Sequence, residues 1–189
     1  MSGSAEPRVA IFADESCLGN GREGDNPGGA AGLIEHHDSS GGEPTRFDYW
    51  VSEPATTNNR MALHSAIEAF QILSRKGNRL HVRFTSDSQY LVKGMSEWVP
   101  GWRARGWRRK AGAIENLSLW QEAVEVAERH EVEWRWVRGH NQHPENEYAD
   151  HLATRAARDQ SSSGGPVPSL YGEWLAAMQA KGKLAHSTR

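Results

Sequence analysis

The sequence predicts an α/β domain, a mixed sheet with helices packed against it. Two observations lead there. Segments with period-two apolar alternation and segments with helical spacing follow one another as three strands, helix, strand, helices, strand, helix. The first strand is also apolar on both faces, with Val9, Ile11 and Ala13 on one side and Ala10 and Phe12 on the other, so both faces must be covered.

That first strand is expected over Arg8–Asp14, ending at Asp14-Glu15. A Gly-rich stretch, Gly19 to Gly32, leads to a second strand through about Leu33–His36. Asp38-Ser39-Ser40-Gly41-Gly42 reads as a turn, and Arg46–Val51 as a third strand. Thr56-Thr57-Asn58-Asn59 offers N-cap chemistry for a helix whose apolar positions are Leu63, Ala66, Ile67, Phe70 and Leu73, with Gly77 as its stop. Leu80–Phe84 is a fourth strand. Asp87-Ser88 opens a helix through Met95, which Pro100-Gly101 is expected to break. A further helix runs from about Asn116 to Arg129. Val132, Trp134 and Trp136 alternate as a strand. Gly139–Pro144 is a loop, and Pro144 suits the first turn of a helix reaching Arg158. Ser161–Pro168 reads as a linker, and Leu170–Lys183 as a short accessory helix. The expected organisation is a disordered 1–7, one domain over 8–158, and a linker and tail over 159–189.

The length suits one domain with its own core. Net charge is −2, from 22 Lys+Arg against 24 Asp+Glu, so any affinity for nucleic acid must come from local charge. A single cysteine, Cys17, excludes an internal disulfide and suggests a reducing compartment. The first residues lack an apolar signal region, and no stretch approaches ~20 apolar residues. The expectation is a soluble, cytoplasmic chain with no membrane partner.

Three aspartates sit where elements begin, end or border the core: Asp14, Asp87 and Asp150. Singly, each has an ordinary reading as a turn residue, an N-cap or a solvated helix position. Together, two strand ends and a helix flank can converge at one sheet edge. Clustered carboxylates repel and raise one another's pKa values, and a hard divalent cation relieves that repulsion. Oxygen-only donors suit Mg²⁺ or Mn²⁺.

Five blocks extend the pattern: Asp14-Glu15-Ser16-Cys17-Leu18-Gly19-Asn20, Thr56-Thr57-Asn58-Asn59-Arg60-Met61, Ser86-Asp87-Ser88-Gln89-Tyr90, Trp136-Val137-Arg138-Gly139-His140, and His143-Pro144-Glu145-Asn146-Glu147 with Asp150. In these blocks, in this order, the chain resembles type 1 ribonuclease H over about Arg8–Arg158. The resemblance implies a five-stranded mixed sheet flanked by helices. It implies hydrolysis of the RNA strand of RNA–DNA hybrids with two Mg²⁺ ions per site, Mn²⁺ as a possible substitute, and no obligate protein partner. It makes Asp14, Asp87 and Asp150 metal ligands, and His140 an aid to proton transfer or product release. It places Asn20, Asn58 and Asn59 in the minor groove, and Thr57 and Asn116 on a DNA phosphate. The third residue of that phosphate pocket, usually Arg, is Ala55 here.

Two departures fall at the active site. Family members have Gly after the first aspartate, where this chain has Glu15. They also have a metal-binding Glu in the first turn of the first helix, where this chain has Ala62. One reading is that Glu15 replaces the lost carboxylate. Alternation in a strand opposes this, but a strand end entering a Gly-rich loop can relax alternation. The other reading is a solvated Glu15 and a catalytically inactive hybrid-binding protein.

The segment Trp98–Lys110 sets Trp102 and Trp107 among Arg103, Arg105, Arg108, Arg109 and Lys110. It resembles the family's basic protrusion, which grips the DNA strand. Cations there would neutralise phosphates and release counterions. Another nuclease or integrase of the same fold is disfavoured, because Thr57-Asn58-Asn59 and this segment match the ribonuclease group.

Overall fold

A computed structural model describes residues 8–19, 26–139 and 143–184. The strands are β1 (Val9–Cys17), β2 (Gly28–His36), β3 (Thr45–Glu53), β4 (His81–Ser86), β5 (Glu131–Trp136) and β6 (Val167–Pro168). The helices are α1 (Asn58–Ser74), α2 (Gln89–Lys93), α3 (Val99–Ala104), α4 (Leu117–Ala127), α5 (Pro144–Asp159) and α6 (Tyr171–Ala180). The described strands form one sheet in the order β5-β4-β1-β2-β3-β6. β1 runs antiparallel to β2 and parallel to β4, so the sheet is mixed.

Alternation sorts the two layers. Val9, Ile11 and Ala13 of β1 pack with Val82, Phe84 and the apolar stripes of α1 and α4. On the opposite face, Phe12 packs with Ala31, Leu33, Tyr148, Leu152 and Tyr171, beneath α5 and α6. α5 approaches the sheet closely because its contact residues are small and β2 carries glycine. A Cβ on Gly29 would lie 2.2 Å from the Ala153 carbonyl oxygen. That close approach seats α5 on the sheet, with Asn146, Glu147 and Asp150 of its N-terminal half lining a cavity with Asp14 of β1.

Several expectations need correction. The described residues form six strands, because part of the supposed linker forms β6 on the edge of β3, pairing Phe47 with Pro168 and Asp48 with Val167. The accessory helix is α6. β1 does not end at Asp14; it stays paired with β2 as far as Cys17↔Gly28. Much of the Gly-rich stretch is therefore strand, with its small residues giving room to neighbours. Pro100-Gly101 does not break the helix at 89–104. A π-helical turn, Gly94–Trp98, joins α2 to α3, and Pro100 sits in the first turn of α3, where no backbone N–H is needed. Gly94 is required there, since a Cβ would fall 1.9 Å from the Trp120 ring.

Candidate active site

The ladder between β1 and β4 ends at Ala13↔Ser86, so the next residues, Asp14 and Asp87, stand side by side where the strands part. Asp14 pairs with Ala31, on the α5 face, and Glu15 pairs with Ala30, on the α1 face. Alternation therefore holds. The two side chains meet because β1 has lost its β4 neighbour at this point, and both carboxylates can reach into the gap. Asp14, Glu15 and Asp87 each bring a carboxylate oxygen within 4.8 Å of the others.

The electrostatics show the cost of this arrangement. Burial, followed by the Asp87 charge, raises Asp14 from 3.8 to about 8, against the pull of the Glu15 N–H, which donates to Asp14 Oδ1 at 2.7 Å. Asp150 and Glu147 push it further up. Burial and the Asp14 and Asp87 charges raise Glu15 well above its ordinary value, while the Ser88 hydroxyl opposes them. Glu15 Oε2 is enclosed with no hydrogen-bond partner among the described residues. A buried acceptor without a donor, among carboxylates that disfavour one another's charge, fits a divalent cation.

Asp150 stands outside that tight trio. It lines the facing wall of the same cavity, with His143, Asn146 and Glu147 from the start of α5 and Arg138 and Gly139 from the preceding loop. Asp87 is held from two sides: Trp136 Nε1 donates to its carbonyl oxygen at 2.9 Å, and Gly139 leaves room for its carboxylate, since a Cβ there would be 2.4 Å from Oδ2. Glu147, Asn146 and His143 were legible only as parts of a matching block. The signal that could have found Glu147 is its three-residue spacing from Asp150, which puts both on one helix face. Asn20 and His140 lie outside the described residues.

The expected substrate contacts are spread over the α1 and α4 side. Thr57 is the N-cap of α1, its hydroxyl accepting from Arg60 N at 3.3 Å; Asn58 and Asn59 begin the helix. Asn58 Oδ1 is enclosed without a partner among the described residues. Asn116 precedes α4 in a left-handed conformation, and its Nδ2 donates to Tyr90 Oη at 3.2 Å. Trp102 packs edge-on against Trp120, with ring centroids 5.5 Å apart, and Trp107 packs against the same core, so both anchor the segment. Arg103 is ion-paired with Glu128. Arg105, Arg108, Arg109 and Lys110 are exposed.

The raised Asp14 pKa has a consequence for stability. Without metal, the fold holds a proton on Asp14 between about 3.8 and about 8, while the unfolded chain releases it. The native state binds more protons in that window, so this group makes folding less favourable as pH rises. Asp14→Asn should therefore melt higher than the parent in chelator at pH 8, with the gap closing toward pH 4. Thermal unfolding across that range tests it, and a gap independent of pH would count against the clustered-carboxylate account. Saturating divalent metal should shrink the gap by stabilising only the parent.

The family model described as RNase H matches residues 6–158. Ribonuclease H of Aromatoleum aromaticum is 42% identical over 161 residues, covering 85% of this chain and 97% of its own. Ribonuclease H of Cupriavidus necator is 46% identical over 149 residues, covering 78% and 93%. The crystal structure of LC9-RNase H1, described as a type 1 RNase H with the type 2 active-site motif, superposes with a TM-score of 0.88 at 60% identity, covering 95% of this chain and 86% of that one.

Proposed function

The chain belongs to the ribonuclease H family; with that as premise, we propose that it cuts the RNA strand of RNA–DNA hybrids, holding Mg²⁺ through Asp14, Glu15, Asp87 and Asp150. The observation that carries the reading is the meeting of three carboxylates from two strands at one sheet end, with a fourth on the facing helix. Mg²⁺ ions bound there would neutralise the cluster and supply Lewis acidity toward a phosphodiester.

The chain's own groups do the rest. Asp14 and Asp87 present carboxylates from the positions just past the end of the β1–β4 ladder, so their separation is set by the sheet rather than by loop motion. Glu15 fills the gap on the α1 side, where Ala62 leaves the helix without a carboxylate. Thr57, Asn58, Asn59 and Asn116 stand on the α1/α4 side as polar contacts for a duplex. A relative with 60% identity described as carrying an altered active-site motif supports reading the departures at positions 15 and 62 as one altered set. The exposed cations of 105–110 supply affinity that does not depend on sequence.

The decisive experiment incubates labelled RNA–DNA hybrid, double-stranded RNA and double-stranded DNA with Mg²⁺ or Mn²⁺. The proposal requires cleavage of the hybrid's RNA and of neither control. Hybrid binding without cleavage under either metal would favour the inactive-binder reading. Asp87→Asn should abolish metal-dependent cleavage in a protein that stays folded.

Replacing Arg108, Arg109 and Lys110 by Gln should flatten the salt dependence of hybrid binding. At roughly 0.9 per phosphate contact for duplex DNA, the slope should fall by up to ~2.7. An unchanged slope in the triple variant would assign this patch to solvent.

A further inference from the structure

Beyond Asp150, on the side away from the basic segment, the structure carries a second groove of about 290 Å³. One wall is α5. Asp150, Thr154 and Arg158 follow at four-residue spacing, with His151 and Arg155 beside them, which gives one continuous helix stripe. From Asp150 to Arg158 the stripe rises about 12 Å at 1.5 Å per residue. The other wall is α6, through Trp174 and Met178.

Three observations bear on what this groove holds. Glu147 and Asp150 line both it and the carboxylate cavity, so the two spaces adjoin at these two side chains. A strand with one phosphate at the carboxylates can run directly into the groove. Its charge also changes along its length, from the acidic end that metal would neutralise to the two cations Arg155 and Arg158. Finally, the polar and aromatic groups are held in place. Trp174 packs against Tyr148 at 5.1 Å and the His151 ring at 6.1 Å, and the Arg155 guanidinium rests 4.8 Å over Trp50. Arg158 pairs with Asp159 at 2.8 Å, but the pair is exposed, so water screens it and a phosphate can compete for the guanidinium.

We propose that the α5/α6 groove is a substrate subsite that holds the RNA strand next to the cleaved phosphate, with Arg155 and Arg158 on neighbouring phosphates and Trp174 as an aromatic wall. The assignment rests on the nuclease reading above. The strand is the RNA because it is continuous with the phosphate at Asp150. The basic segment serves the duplex from the opposite, α1/α4 face of the sheet. α6 lies beyond residues 6–158, so this wall belongs to the C-terminal extension rather than to the matched domain.

The test compares the parent with Arg155→Gln/Arg158→Gln and with Thr154→Glu, an exposed position where an added carboxylate removes no packing. Hybrid binding is read by fluorescence anisotropy in chelator, and KM and kcat in Mg²⁺. The substrates are hybrids whose duplex extends on one side or the other of a single cleavage site. Both variants should raise KM about tenfold, well beyond any fall in kcat, and only for hybrids extending over one of the two sides. The double variant should also flatten the salt slope by up to ~1.8, two phosphates at ~0.9 each. Parent-like KM, affinity and salt slope in both variants, with melting temperatures intact, would overturn the subsite. A parent that binds hybrid without cleaving it, and variants that lose this binding, would overturn catalysis but leave the subsite standing.

Discussion

Glu15→Gly is expected to lower Mg²⁺-dependent cleavage of hybrid by about 10²–10³-fold, the scale seen when one preorganised electrostatic group is removed from an active site. Glu15 sits on the α1 face of β1, next in line after Ala13, and reaches the carboxylates of Asp14 and Asp87 across the end of the β1–β4 ladder. A solvated bystander would not have an enclosed, partnerless Oε2 or a pKa raised by burial and two neighbouring charges. Glu15→Gln, which keeps shape and removes charge, should lose nearly as much activity, so a packing defect cannot explain the loss. The reciprocal half of the experiment is Ala62→Glu. Ala62 is fully buried in the core layer on that face, so the single change buries a further carboxylate and should destabilise the metal-free protein. In the double variant the added Glu takes the vacated space, and a substantial part of the activity should return. If Glu15→Gly cleaves like the parent, Glu15 holds no metal. If Ala62→Glu alone switches on an inactive parent, the chain is a hybrid binder that has lost its nuclease activity.

The fold was legible wherever a local pattern and a global requirement agreed. Period-two alternation located strands, Thr56-Thr57-Asn58-Asn59 marked the start of α1, where Thr57 is the cap, and Pro144 marked the start of α5. Glycine was the main source of error. Gly28, Gly29 and Gly32 read as loop, yet they lie in β2, where Thr56 and Met61, α5, and Tyr49 respectively approach too closely for a side chain. That demand is tertiary and leaves no periodic trace. The short β6 was illegible for a similar reason: two residues hold no period, and the edge of β3 supplies the pairing. At the active site, the sequence reading places Asp14 and Glu15 at a strand end. The structure keeps them inside β1, and it is the end of the neighbouring ladder that lets both reach one point. The partition of Asp150 from the trio was also out of reach, since it depends on how deeply α5 sinks onto Gly29.

Tyr171→Ala should destabilise the protein by about 3–4 kcal/mol, in the range for buried aromatic truncations. Tyr171 is 4% exposed, although it lies in a segment that composition alone marks as a tail. Its ring meets Tyr148 edge-on at 5.4 Å and carries the Arg46 guanidinium at 5.1 Å, and its hydroxyl donates to Glu145 Oε1 at 3.2 Å. Beside it, buried Asp48 accepts from Tyr148 Oη at 2.6 Å and from the Leu170 N–H at 3.3 Å, which ties the start of α6 to β3 and α5. At ~2–4 °C per kcal/mol for a domain of this size, the melting temperature should drop by roughly 6–16 °C. Tyr171→Phe keeps the ring and loses one hydrogen bond, so it should cost only about 1 kcal/mol. Thermal and urea unfolding of the three proteins separate the two contributions. A Tyr171→Ala protein that melts with the parent would show that β6 and α6 rest on the domain without stabilising it. The substitution should also loosen the wall that Trp174 forms, because the two rings stack 6.3 Å apart. KM for hybrid should then rise as stability falls, whereas kcat, governed by carboxylates on β1 and β4, should move less.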